Sequence, residues 1–253
     1  MKNVTNLCND ERKAKLKEFC ASLGITMHRY ELLNLALTHT SYAHETVHYP
    51  HNEHNERLEF LGDSVLSLIV STYLYQNFPS FDEGKMTKLR AQIVCETSLY
   101  QCAKRMNLGK YLRMGNGERA SGGTMRPSIL ADAFEAVLGA YYLDQGFAAA
   151  KKYLLGLLEE EIKVYEIVKK ANEAAEAMIK PGVKLSDIDK CARKVISDEG
   201  YGKYFTHRLG HFIGKDVHEY GDVSINFDLE VQEGMIFSIE PGVYLPGKFG
   251  VRI

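Results

Sequence analysis

The chain has 253 residues, 45% apolar and 25% charged, a globular composition long enough for one large domain or two modest ones. Its formal charge of −2 gives no electrostatic sign of a polyanion partner, and no run of five basic residues occurs, although bound metal ions can let a neutral chain hold a polyanion. Cys8, Cys20, Cys95, Cys102 and Cys191 form no CxxC pair, and their odd number suits free thiols in a reducing compartment.

The first ten residues lack the apolar core of a signal peptide, and no stretch is expected to reach transmembrane length. The expectation is a cytoplasmic protein with no membrane partner. Residues 10–23 place Leu16, Phe19, Cys20 and Leu23 on one helical stripe, and a short helix follows over 30–37. It leads into Thr38-His39-Thr40-Ser41-Tyr42 and then a polar segment, 43–55, holding His44, His48, His51 and His54. That segment reads as a solvated loop, open to adventitious nickel or zinc.

A long apolar helix is expected over 55–77, ended by Pro79, with further helices over 83–92, 95–106, 127–145 and 147–162. No alternating strand pattern precedes residue 162, so this part is expected to be all-α. Beyond it the texture changes. Helices are expected over 163–179 and 185–200, with Ser186 as an N-cap, followed by Gly-, Tyr- and Phe-rich strands near 204–207, 235–240 and 241–245. This half is α+β, and the boundary falls near 161–165.

Residues 56–64 read Glu-Arg-Leu-Glu-Phe-Leu-Gly-Asp-Ser. Glu56, Glu59 and Asp63 are spaced three and four apart, which puts all three acids on one helical face. A second helix carries Asp132 and Glu135 within Ser-Ile-Leu-Ala-Asp-Ala-Phe-Glu-Ala-Val-Leu. Carboxylates on helices this apolar are costly unless neutralised. Two such stripes can meet around a hard divalent cation, and oxygen-only ligands suit magnesium or manganese. Solvated helix faces are the bland alternative, but the flanking residues are too apolar for it.

These motifs, with Thr38 to Tyr42 upstream, closely resemble the ribonuclease III catalytic domain over about residues 10–162. The resemblance implies that Glu59, Asp63, Asp132 and Glu135 are catalytic and hold Mg2+, with Mn2+ able to substitute. Glu56 and Glu83 would lie toward the substrate or dimer edge. It also implies a two-fold homodimer that cuts double-stranded RNA, leaving 5′-phosphates and short 3′ overhangs, with ribosomal RNA precursors as the default substrate. The glycine-rich stretch 115–123 is no P-loop. It reads either as a flexible connector or as a loop whose amides, with Arg119 and Arg126, touch RNA phosphates.

The second half carries another signal. His207-Arg-Leu-Gly-His211, His218 and the run Phe237-Ser-Ile-Glu240-Pro-Gly are similar to the C-terminal half of a pita-bread metallopeptidase of the Xaa-Pro aminopeptidase and prolidase kind. The resemblance implies metal ligands at His211 and Glu240 and pocket residues at His207 and His218. It also implies two aspartate ligands from a preceding segment and a last glutamate after Ile253, none of which the chain supplies. These positions are therefore expected to be vestigial, the segment to expose apolar surface and strand edges, and peptidase activity to be absent.

The expected architecture is an all-α ribonuclease III endonuclease domain over 1–162 and an incomplete α+β pita-bread segment over 163–253, a chimera of two unrelated enzymes. The expected activity is Mg-dependent cleavage of double-stranded RNA. The alternatives are a metallopeptidase, against which the missing ligands argue, and a non-catalytic double-stranded-RNA-binding module.

Overall fold

The computed structural model describes residues 8–47 and 49–253, so the first residues of the chain and His48 lie outside the description. The chain divides into two compact units, one ending at Leu158 and the other spanning Glu159–Ile253.

The first unit is helical: α1 (Asp10–Ser22), α2 (Tyr30–Ala36), α3 (Thr40–Glu45), α4 (Glu56–Asn77), α5 (Glu83–Ile93), α6 (Glu96–Arg105), α7 (Asn116–Ala120) and α8 (Pro127–Leu157). Local chemistry sets several of the starts. The Asn9 side chain accepts from the amide of Arg12 at the head of α1, and Asp82 accepts from that of Lys85 at the head of α5. Pro127 opens α8, where its missing N–H costs nothing. Gly146, at φ 81° and ψ 175°, interrupts α8 where the sequence places the break between two helices. Just before it, Asp144 accepts from the amides of His28 and Arg29, tying the approach to α2 onto α8.

Helices α4 and α8 form the centre of this unit. Leu66, Ile69 and Leu74 of α4 and Phe134, Val137 and Ala140 of α8 are all buried. Each large side chain so buried is worth roughly 1.5–3 kcal/mol. With its 22 residues α4 is long and apolar enough to cross a membrane by length and composition, which corrects the expectation that no stretch reaches that length. Its apolar residues are those of a core helix, in that Leu58, Val65, Leu66, Ile69, Val70 and Leu74 are buried within the unit.

Two short helices depart from expectation. α3 takes in residues expected to be irregular, and its N-cap is His39, whose ring nitrogen lies 3.3 Å from the amide of Ser41. α7 lies inside the glycine-rich stretch, so that stretch is not simply a flexible connector.

The second unit has α9 (Glu159–Ala177), α10 (Leu185–Asp198) and four short strands, β1 (Gly210–His211), β2 (Asp222–Val223), β3 (Gly242–Leu245) and β4 (Phe249–Arg252). β1 pairs antiparallel with β2, and β3 with β4 through a turn at Gly247. Val164, Val168, Ala171 and Ala175 line one stripe of α9, and Leu185, Ile188, Ala192 and Ile196 one stripe of α10. Phe205, Leu209, Val223, Val243 and Phe249 complete that core. Residues 204–207 and 235–240 are not strands, although an isolated bridge joins Phe212 to Phe237. Ser186 does not cap α10. Lys184 occupies the cap position, and the buried Ser186 hydroxyl donates to Asp228 at 2.5 Å. Val217, Tyr220 and Ile236 are exposed, as expected of this segment.

Candidate active site

The backbones of α4 and α8 touch where the acids sit. A side-chain carbon on Gly62 would overlap the backbone carbonyl of Glu135, and one on Gly139 would overlap that of Leu58. Only glycine lets the helices approach this closely. The approach sets the Glu59 and Asp63 face of α4 against the Asp132 and Glu135 face of α8.

Glu59, Asp132 and Glu135 are half-buried, and Asp63 is exposed. Burial pushes the Glu135 carboxyl up to about 7, and the charges of Asp63, Glu59 and Asp132 add to the effect. Glu59 is raised by burial, then by Asp132, Glu56 and Asp63. Asp132 is raised by burial and then by Glu96, against a smaller opposing pull from His39. The four acids are thus close enough to repel one another, and no hydrogen bond or ion pair to a cationic side chain joins any of them among the described residues.

This arrangement fits a divalent cation by its donor chemistry. Oxygen donors suit a hard ion, and uncompensated half-buried carboxylates need a positive charge. Among the described residues, no three Asp, Glu, His or Cys side chains have already closed into a metal cage.

The structure also places the other residues expected at the site. Glu56 is exposed on the first turn of α4, 3.9 Å from the His54 Nδ1 atom, and its charge reaches Glu59 and His39. Glu83 heads α5, where its carboxylate accepts from Thr87 at 2.9 Å and shares a groove with Ser71, Tyr75 and Arg90. It is not among the groups that bear on the four acids. Two residues not singled out by sequence join the surroundings. Glu96, at the start of α6, raises Asp132. His39 is held below the usual imidazole range by burial, with Glu118, Asp132 and Glu56 pulling the other way. The stretch Thr38 to Tyr42 pointed toward His39, but nothing in the sequence pointed to Glu96.

The first three amides of the glycine-rich stretch are already occupied. Those of Asn116 and Gly117 donate to the Glu45 carboxylate at 2.6 and 3.3 Å, and that of Gly115 donates to Ser41 Oγ at 3.0 Å. Arg126 pairs with Glu118 at 2.6 Å. In this structure these three amides and Arg126 are thus engaged within the protein. In the polar segment the His44 and His51 rings stack at 5.3 Å, while His48 lies outside the described residues.

In the second unit His211 is buried, its Nε2 atom 3.5 Å from Glu240, and the His218 ring stacks on it at 4.0 Å. The Nδ1–H of His211 donates to the Phe212 carbonyl at 3.0 Å. Glu240 is also ion-paired to Arg252. His207 stands apart from that trio, against Phe205 and Tyr244, its Nε2 atom buried with no hydrogen-bond partner among the described residues and its protonation disfavoured chiefly by burial.

The comparisons with known proteins fall on two stretches of the chain that overlap over residues 128–161. The family profile described as ribonuclease-III-like matches residues 29–161, just over half of the chain. The profile of metallopeptidase family M24 matches residues 128–253. A curated relative, Ribonuclease 3 of Borreliella afzelii, is 45% identical over 164 residues, covering 64% of this chain and 66% of that protein's length. The match thus spans about two thirds of that relative. The ribonuclease III nuclease domain of Campylobacter jejuni, a structure concerned with the region involved in dimer formation, is 42% identical with a TM-score of 0.52. That match covers 57% of this chain and 96% of that domain. A dipeptidase from Pyrococcus horikoshii is 48% identical over a match covering 38% of this chain and 27% of its own, with a TM-score of 0.37.

Proposed function

The chain belongs to the ribonuclease-III-like family, and from that premise we propose that it hydrolyses double-stranded RNA with magnesium, leaving 5′-phosphates and short 3′ overhangs. The observation that carries the reading is the facing of Glu59 and Asp63 on α4 with Asp132 and Glu135 on α8, four carboxylates that no cationic side chain pairs among the described residues. Those four would hold Mg2+ or Mn2+. When bound, the ion supplies a Lewis acid for the phosphodiester and a means of activating water. The contacts at Gly62 and Gly139 fix the spacing of the two acidic faces, so the carboxylates are placed by rigid backbone. Burial raises Glu135 to about 7, so a bound cation would favour its ionised form. Glu56 lies at the exposed rim, on the side from which a substrate approaches.

A homodimer accompanies this reading. Phe60, Leu68 and Tyr75 are 79%, 56% and 76% exposed. Spaced eight and seven apart, they form a stripe on the outer face of α4. A second copy docking there would bring two acidic sites together, one for each strand of the duplex. Glu83, near Tyr75 in the groove between α4 and α5, would then sit at the dimer edge. Processing of ribosomal RNA precursors in the cytoplasm is the physiological setting we assign.

The unit from Glu159 onward, which contains the expected segment 163–253, is proposed to add no peptidase activity. Glu240 is committed to Arg252 and lies beside His211, so its carboxylate is already compensated by protein groups.

The test is Glu135→Gln. The parent converts long double-stranded RNA to short duplexes with magnesium, and the variant leaves it intact. Equal cleavage by both would refute the assignment of the site.

A further inference from the structure

A groove rich in basic side chains lies in the first unit. It is lined by Arg12, Lys15, Lys110, Arg113, Arg119 and Tyr42 and holds about 280 Å3. That is several times the roughly 30 Å3 that a water takes in the liquid, enough for a phosphate group with its linked oxygens.

Its charges are unevenly compensated. Lys15 pairs with Glu11 at 2.7 Å, and Lys110 with Glu18 at 2.8 Å, so the two ammonium groups are neutralised at the exposed rim. Arg12 differs. It is only 8% exposed, and its guanidinium makes three hydrogen bonds, all to neutral oxygens: Asn34 Oδ1, the Tyr111 carbonyl and the Leu37 carbonyl. Among the described residues two of its five N–H groups are left over. Burial and then the neighbouring charge of Arg113 push Arg12 down to about 10. The Arg113 guanidinium lies over the Tyr42 ring at 5.2 Å, and Arg119 reaches the Leu112 carbonyl at 3.4 Å. A buried guanidinium beside a second one, with only neutral hydrogen-bond partners, is built to take an anion.

The groove is joined to the acidic site through the backbone. The amide of His39 donates to the Arg113 carbonyl at 3.0 Å, and the Arg113 amide to that of Leu37 at 2.8 Å. The His39 ring on the other side feels Asp132 and Glu56.

We infer that this groove binds backbone phosphates of the RNA duplex beyond the cleavage site, with Arg119 at its exposed mouth and Arg12 and Arg113 at its floor. The inference rests on the duplex-RNA reading above and deepens it. It explains how a chain with net charge −2 holds a polyanion, by concentrating arginine locally where the overall balance gives no sign.

The test uses the full chain and a labelled RNA duplex, with calcium in place of magnesium so that binding is read without cleavage. Affinity is measured against salt for the parent, Arg119→Ala, Arg119→Lys and, as a control on the outer surface of α1, Lys17→Ala. The slope of log affinity against log salt should fall by about one for Arg119→Ala. It should be retained in Arg119→Lys and Lys17→Ala. Unchanged slope in Arg119→Ala, with the parent binding duplex, would overturn the groove and leave the endonuclease reading standing. A parent that binds no duplex at any salt would overturn both. In a second arm inorganic phosphate is added at matched ionic strength. If free phosphate stabilises the parent and not Arg119→Ala while the duplex slopes agree, the groove takes a free anion and the RNA assignment fails.

Discussion

Gly62 of α4 lies against the backbone carbonyl of Glu135 on α8 so closely that no side chain fits between them. This contact joins the two acidic helices at the residues that carry the proposed chemistry. Gly62→Ala should therefore cost more activity than stability. Forcing the helices apart costs on the order of 1–3 kcal/mol, while the acids lose their common spacing. Thermal unfolding and cleavage assays check this beside Gly84→Ala, where an added carbon meets only the Asp82 side chain at 3.5 Å. Gly62→Ala and Gly84→Ala behaving alike would contradict the contact.

The pH dependence follows from Glu135. Its carboxyl is raised from an ordinary 4.5 to about 7, so between those values the folded state binds more protons than the unfolded one. Stability without metal should therefore be fullest below about 4.5 with respect to this group and fall as pH rises toward 7. At about 1.4 kcal/mol per unit, and allowing for partial solvent screening, the loss is on the order of 1–3 kcal/mol. Glu135→Gln should remove that slope and raise the metal-free melting temperature at pH 8. Magnesium should stabilise the parent more at pH 8 than at pH 6, because it binds the ionised form. Parallel melting curves for parent and variant across this range would contradict the account.

The exposed stripe on α4 predicts the oligomeric state. Leu68→Glu places a charge among Phe60, Leu68 and Tyr75 without entering the core. Light scattering should give a dimer for the parent and a monomer for the variant, with unchanged helical content. A variant that remains dimeric would put the interface elsewhere.

In the second unit Asp189 is fully buried, bonded to Arg193 at 2.6 Å and to the amide of Leu209 at 3.2 Å. Arg193 also donates to the carbonyls of Phe205 and His207. This node fixes the chain leading into β1. Removing the acid leaves a guanidinium without its counter-charge, and Asp189→Ala should cost about 3–5 kcal/mol. Denaturant unfolding that retains the parent midpoint would contradict this role.

Some of this organisation was legible in the sequence because its signals are local. Glu56, Glu59 and Asp63 announce their shared face by spacing alone, and Gly146 marks the break in α8 by its backbone freedom. α3 and α7, of six and five residues, are too short for periodicity to register, and the head of α7 depends on Ser41 and Glu45 of α3, far away in sequence. Residue type misplaced the cap of α10, since the Ser186 hydroxyl is drawn to Asp228, far away in sequence. Glu96 joins the acidic site only through the packing of α6 on α8. Nothing short of the tertiary fold brings it there, and the same holds for Arg12 beside Arg113.

The most direct test of the central claim is to incubate the full chain with long double-stranded RNA and magnesium and to map the ends of the products. The account predicts short duplexes with 5′-phosphates and short 3′ overhangs, and single-stranded RNA of the same sequence left uncut. Intact duplex, or cleavage of both substrates alike, would contradict it.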